Sequence, residues 1–223
     1  MADPIVTVIV PVYNGEKYLR ESLESTCAQD FESYEVIVVD DGSTDRTGEI
    51  ARSLPVRYLR QENQGQGAAK NAGMELARGR FIAFHDHDDV MPPTKLRVQS
   101  DYLLDHPETG CVLGRNDWIF EGGTAPPWMT RDPNYGDLGG IQPGTAMIRK
   151  EDLRKVGGFD VTYRWWHYQN LFVRLREHGV KIEVLLDVVL LRRLHGENMT
   201  LFPPPDHPLL RTMREKLQRE RGQ

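Results

Sequence analysis

Four short apolar runs, three of them closing on a polar cluster, constrain this chain more than anything else in it. Ile5–Val10, Tyr34–Val39, Val56–Arg60 and Arg80–His85 are rich in β-branched or aromatic residues. The first two carry few polar side chains and read as strands buried on both faces. Helical stretches lie between the runs, from Glu16 to about Ala28, from about Arg46 to Ser53, and from Gly65 to Ala77. Pro11 is expected to end the first ladder. Asn14-Gly15 reads as a turn, Thr44 or Asp45 as a helix cap, and Gly79 as a helix end. Strands that alternate with helices through short links form βαβ units, hence an α/β fold with a mainly parallel central sheet flanked by helices.

The second half is less regular. Pro92-Pro93 opens a helix over about Thr94–Leu104, and Cys111–Phe120 reads as a strand. Glu121–Gly140 is crowded with Gly and Pro and reads as a loop. A strand over Gly144–Arg149 and a short helix over Lys150–Val156 follow. A helix from about Trp166 to His178 ends at Gly179, and Val184–Leu194 is strand-like. Pro203-Pro204-Pro205 breaks the chain before a final helix.

The 223 residues suit one domain, and a formal net charge of −5 gives no reason to expect a nucleic acid as partner. Arg211–Arg221 is locally basic but interrupted by Glu215 and Glu220. It reads as a solvated helix face, with peripheral contact to a membrane surface or an anionic acceptor as the sharper alternative. Cys27 and Cys111 show no CxxC spacing and read as buried thiols in a reduced compartment. No apolar run reaches the length of a membrane span, and Met1-Ala2-Asp3-Pro4 lacks the basic start of a signal peptide. A soluble, cytoplasmic protein is expected.

In open parallel sheets ligands bind beyond the carboxyl ends of the strands. Three polar clusters fall there: Tyr13-Asn14, Asp40-Asp41 and Asp86-His87-Asp88-Asp89. If the backbone stays extended, Asp86 and Asp88 lie on one side. Crowded carboxylates repel one another unless a hard cation such as Mg2+ or Mn2+ joins them, and such cations suit phosphate oxygens. A lone Asp at a strand end is often a cap or turn residue, which Asp40 could be. A dinucleotide-binding oxidoreductase would share the alternation, but Pro11-Val12-Tyr13-Asn14-Gly15 is not G-x-G-x-x-G, and no Walker-type phosphate loop occurs.

The motifs resemble those of the GT-A fold glycosyltransferases, in particular the inverting family 2. The resemblance rests on Val10–Gly15, Val39–Asp45, Gly67–Gly73, Asp86–Asp89, Val156–Asp160 and Arg192–Gly196, and spans Ile5 to about Thr200. It implies a single GT-A domain over 1–223. Residues of about 1–105 would bind the nucleotide-sugar, about 106–200 would face the acceptor, and 201–223 would form a tail helix. It further implies transfer of a hexose or similar sugar from a UDP-sugar, or a related nucleotide-sugar, to an acceptor hydroxyl on a saccharide, lipid or peptide. Pro11 and Tyr13 would pack on the nucleobase, and Asp40 would accept from the uracil imide or a ribose hydroxyl. Asp86 and Asp88 would form the metal-holding Asp-X-Asp motif, with Asp88 the more direct ligand, Asp86 nearer the ribose and Asp89 a further candidate. Lys70 stands where the family often has Arg and would meet the diphosphate; as a residue it could equally be an exposed helix lysine. His195 could ligate the metal or donate to phosphate, or be a structural strand-end histidine.

The resemblance departs from the family at one place. The family's general base is an Asp six residues before an Arg that corresponds to Arg174; here that position is Tyr168, preceded by His167. A tyrosine is a poor base near neutral pH, whereas a histidine is a plausible one. His167 is therefore expected to substitute, with Asp160 as second candidate. A chain that binds the nucleotide-sugar without transferring it is the alternative. Trp165 and Trp166 are candidates for stacking on an acceptor sugar, although adjacent helical residues diverge and one reads as core. Trp128 in the Gly/Pro-rich loop could line the same cleft.

Overall fold

A computed structural model describes residues 3–123, 143–163, 167–196 and 198. Among them run β1 (Val6–Val12), α1 (Leu19–Cys27), β2 (Tyr34–Asp40), α2 (Thr47–Arg52), β3 (Arg57–Arg60), α3 (Gln66–Leu76) and β4 (Phe81–Phe84). Then come α4 (Lys95–Asp105), β5 (Thr109–Phe120), a 3-10 turn (Pro143–Thr145), β6 (Ala146–Arg149), α5 (Lys150–Lys155), α6 (His167–Glu177) and β7 (Lys181–Leu194). The strands form one sheet in the order β3-β2-β1-β4-β6-β5-β7. All neighbours are parallel except β6, which runs antiparallel to both β4 and β5. The expected mainly parallel sheet is present.

Its two faces are covered separately. Val6, Val8, Val10 and Val12 point to one face, where Leu19 and Leu23 of α1, Ile50 of α2, and Leu96 and Leu103 of α4 pack on them. Ile9, Ile82 and Phe84 point to the other, against Met74 of α3, Leu153 of α5, and Leu171 and Leu175 of α6. Each such buried aliphatic or aromatic side chain contributes roughly 1.5–3 kcal/mol relative to exposure. α3 lies unusually close to the sheet: a Cβ on Gly73 would stand 2.5 Å from Ile9. The Ala/Gly composition of Gly67–Gly73 is thus a packing requirement, and it is what brings Lys70 inside.

Several boundaries differ from expectation. Pro11 does not end the first ladder; β1 runs on to Val12, with Pro11 in register with Val39. The reason is directional. The Ile9 carbonyl accepts from His85 on the β4 side, whereas the Val12 carbonyl accepts from Asp41 on the β2 side. By alternation the absent N–H of Pro11 faces the β4 side, past the last pair Ile9–Phe84. Gly79 is not a left-handed helix end; it lets the chain graze β1, since a Cβ there would sit 2.4 Å from the Thr7 nitrogen. Gly179 does end its helix, with φ 72° and the Val180 N–H bonded back to the Leu175 carbonyl. Cys27 and Cys111 are both free thiols. Trp128, most of the Gly/Pro-rich loop, Arg164, Trp165, Trp166 and the basic C-terminal segment lie outside the described residues.

Candidate active site

The turns at the carboxyl ends of β1, β2 and β4, together with the end of β7, make one rim. Tyr13, just past β1, is 50% exposed, whereas Pro11 is buried within the strand. A flat accessible face is therefore offered by Tyr13 and not by Pro11. Asp40 is 1% exposed, and both its oxygens are engaged: Oδ1 accepts from the Ser43 N–H at 2.8 Å and Oδ2 from the Tyr58 hydroxyl at 2.5 Å. These bonds hold the turn beneath the rim. Asp41 does the same for the next loop, accepting from Gln64 and Gly65 backbone N–H groups at 2.9 and 2.7 Å. That loop delivers the first turn of α3.

After β4 the chain does not stay extended. The Asp89 N–H bonds to the Asp86 carbonyl at 3.2 Å, so the segment turns and its carboxylates diverge. Asp86 faces α3, with Oδ1 3.2 Å from Gln66 Nε2 and 3.7 Å from Lys70 Nζ. Asp88 faces β7, with Oδ2 3.0 Å from His195 Nε2 and 3.3 Å from Asn198 Nδ2. Burial opposes ionisation of Asp88, but the His195 hydrogen bond and the nearby His87 outweigh it and hold the carboxyl below its usual range. Asp89 is the reverse: burial, with the charges of Asp88 and Asp86 beside it, pushes its pKa well up. Its Oδ1 accepts the Arg193 N–H at 2.8 Å.

β7 reaches the acidic turn through a two-bond bridge between Val90 and Leu191, at 3.0 and 2.9 Å. His195 follows directly, 8% exposed, with the Tyr18 ring 4.7 Å away. Tyr18 is in turn held by Glu121 at 3.0 and 3.1 Å. Arg193 braces the same turn, donating from Nε to the Asp88 carbonyl at 3.0 Å. Among the described residues no three His, Cys, Asp or Glu side chains stand close enough to hold a metal ion by themselves. Asp88 and His195 offer one oxygen and one nitrogen, a set that suits Mn2+ or Mg2+ when phosphate oxygens complete the shell.

Lys70 is not an exposed helix lysine; it is 0% exposed. Its ammonium lies 3.3 Å from His167 Nε2 and 3.9 Å from the centre of the Tyr168 ring, with the Phe159 ring at 5.6 Å. Burial lowers its pKa to about 7, against the opposing pull of Asp86. Phe159 is laid there by Gly157 and Gly158, both in the left-handed region at φ 75° and 70°. Asn71 then grips its backbone from both sides, accepting from Phe159 N and donating to Phe159 O, each at 2.8 Å. Arg174 Nη2 ties the same turn at the Gly158 carbonyl, 2.6 Å away.

His167, the expected base, shares these surroundings. The ring is 5% exposed, and burial, with Lys70 beside it, brings its pKa down to about 2. Tyr168 is fully enclosed and its pKa is pushed up by burial. Asp160 lies next to Phe159 and is partly exposed, with Oδ1 accepting from Thr162 N and Oγ1 at 2.9 and 2.7 Å. Sequence reading missed Gln66, Tyr18 and Asn198. Asn198, three residues after His195, carries a readable signal: its Oδ1 accepts the His195 N–H at 2.6 Å and closes a turn. Tyr18 and Gln66 carry none, since exposed first-turn helix residues look alike until the partner element is placed. The same holds for Lys95, fully buried beneath the acidic turn with Nζ donating to the Gly144 carbonyl.

The family model described as glycosyl transferase family 2 matches residues 7–169. An uncharacterized glycosyltransferase of Rickettsia typhi is 41% identical over 213 residues, covering 88% of this chain and 66% of that protein. One of Rickettsia prowazekii is 43% identical over 102 residues, 45% of this chain and 32% of the relative. The glycosyltransferase GlyA of Streptococcus pneumoniae is 44% identical over 108 residues, 46% of this chain and 14% of that protein. This chain thus spans about a third or less of the last two relatives. Among solved structures, Staphylococcus aureus TarS with bound UDP-GlcNAc aligns at a TM-score of 0.75 and 25% identity, over 89% of this chain and 61% of that one. The mannosyltransferase PcManGT of Pyrobaculum calidifontis, in complex with GDP-Man and Mn2+, aligns at 0.71 and 23% identity, over 91% and 60%. The latter likeness speaks to the fold, which is that of the GT-A enzymes.

Proposed function

The chain belongs to glycosyl transferase family 2, and from that premise we propose that it moves a sugar from a UDP-sugar to an acceptor hydroxyl with inversion, assisted by Mn2+ or Mg2+. The observation that carries the reading is a wholly buried lysine, Lys70, 3.7 Å from Asp86 on the same rim as the Asp88–His195 pair. Burying an ammonium is costly unless an anionic partner is to hand. Asp86 alone, 26% exposed in its side chain, is a loose partner, so an incoming diphosphate would complete the match. TarS, at 25% identity, binds UDP-GlcNAc, which supports a UDP-sugar for this chain.

Asp88 and His195 would hold the cation, which when bound neutralises charge on the departing diphosphate. Lys70 would meet the same oxygens from the α3 side, where charge develops as the anomeric carbon–oxygen bond breaks. The acceptor oxygen attacks the anomeric carbon from the opposite face, and its proton passes to a base, for which Asp160 is the candidate. Tyr13 would stack on the nucleobase. The acceptor, a saccharide, lipid or peptide hydroxyl, would lie on the side of Trp165 and Trp166. A second reading, a nucleotide-sugar-binding protein that does not transfer, is favoured by one observation: the head of α6 carries His167 and Tyr168 and no carboxylate.

The two readings part on one assay. UDP release from a UDP-sugar with Mn2+ is measured with and without candidate acceptors. Release that depends on acceptor and is lost by at least 100-fold in Asp88→Ala is the expected result. Donor binding without release under any condition would leave the second reading standing. Undiminished activity and metal dependence in Asp88→Ala would sink the assignment of the metal.

A further inference from the structure

We infer that His167 is the positioning residue of Lys70, so that the residue just before the position of the family's base here orients the cation that meets the diphosphate. The inference rests on the reading of Lys70 as a contact of the donor.

A lysine ammonium has three N–H groups and no lone pair. Around Lys70 Nζ, His167 Nε2 stands at 3.3 Å, within hydrogen-bond distance. Asp86 Oδ1 at 3.7 Å is beyond it, and the Tyr168 face at 3.9 Å offers a quadrupole but no acceptor atom. For Nε2 to accept, the imidazole must carry its proton on Nδ1. Burial keeps the ring uncharged, and Nδ1, buried without a hydrogen-bond partner among the described residues, would carry the proton.

The chain around this contact is built to be rigid. His167 and Tyr168 open α6, and both pack edge-on against Phe159, with ring centres 5.5 and 5.0 Å away. Phe159 is clamped by Asn71, the neighbour of Lys70 on α3. The tip of Lys70 is thus fixed by a loop that its own helix holds. Ordering a lysine side chain costs rotamer entropy, and this cage removes that cost from the binding step.

The charge logic points the same way. A carboxylate at position 168 would lie against Lys70 and cancel it. A ring face and a neutral imidazole hold the ammonium in place and leave its charge for Asp86 and an incoming anion. His167 therefore acts through Lys70 and touches neither sugar nor acceptor.

The test is a double-mutant cycle read by calorimetric affinity for UDP with Mn2+, alongside KM and kcat for a UDP-sugar. Lys70→Met is expected to weaken UDP by at least 10-fold. His167→Leu should weaken it severalfold, mainly in KM. His167→Gln, whose Oε1 reaches about as far as Nε2, should recover most of the loss. In the Lys70→Met background His167→Leu should add less than 2-fold, because the residue it acts through is gone. Additive losses, or a His167→Leu protein with unchanged affinity, would overturn the inference. Should the Leu variant fail to fold, His167→Asn, whose amide stops short of Nζ, takes its place in the cycle. A wild-type protein that binds no UDP removes the donor reading and this inference with it. A wild type that binds UDP and loses affinity in Lys70→Met, but with additive effects, removes only the positioning role.

Discussion

Lys70 shows how a residue can cost stability and still be kept in place by everything around it. Its ammonium is buried with one hydrogen-bond acceptor, two ring faces and a carboxylate 3.7 Å away. An apolar side chain of similar shape should fit the cage at least as well, and Asp86 is exposed enough to remain hydrated without its partner. Lys70→Met is therefore expected to leave the melting temperature unchanged or to raise it by a few degrees, while donor affinity falls. A melt that drops by more than a few degrees would mean that the lysine holds the fold. The sequence offered Lys70 as a helix residue with two readings, and nothing local could choose between them. The choice was made by Gly73, which draws α3 onto Ile9, and by Phe159, which closes the cage from 89 residues away in the chain. The burial of His167 and Asp40 was hidden for the same reason, because accessibility and partners are properties of the neighbours.

At the scale of elements the rim depends on how its parts are pinned at the opposite end. Glu35 on β2 accepts from Thr7 on β1 at 2.9 Å, from Arg57 on β3 at 2.7 Å, and from the backbone and side chain of Arg78 between α3 and β4. Burial would raise the pKa of this carboxyl, but the Arg78 N–H and the two guanidinium groups prevail and lower it to about 2. A carboxyl whose folded pKa is depressed stabilises the fold at any pH above its unfolded value, about 4.3. That contribution is lost as pH falls from there toward 2. The two arginines are about half exposed, so solvent screening trims the gain. Glu35→Gln should cost about 2 kcal/mol in urea unfolding at pH 7, with most of the gap to wild type gone by pH 2.5. An equal gap at both pH values would show that charge plays no part. The strands and helices were legible to within a few residues from alternation and turn chemistry. β6 was legible as a strand but not as the antiparallel member between β4 and β5, since a short apolar run carries no direction.

For the molecule as a whole, the proposed donor site would draw on the carboxyl ends of β1, β2 and β4, the starts of α1, α3 and α6, and the end of β7. A ligand that bridges these parts binds the folded state alone and should raise its stability by about 2.7 kcal/mol at 100 times its dissociation constant. For a chain of this size that corresponds to a rise in melting temperature of roughly 5–10 °C. UDP with Mn2+ is expected to produce such a rise, and UDP or Mn2+ alone a smaller one. Equal shifts with and without the metal would separate the nucleotide site from the acidic turn. No helix among the described residues is long and apolar enough to cross a membrane. The amino-acid sequence by itself determined the α/β alternation, the parallel core and the place of the acidic turn after a buried strand, because hydrophobic period and strand-end chemistry are local. Only the tertiary structure decided that Asp86 and Asp88 part company, one toward Lys70 and the other toward His195. It alone decided, too, that His167 at the head of α6 faces Lys70. Those outcomes hang on burial and on contacts between residues as much as 107 positions apart, which no local pattern encodes.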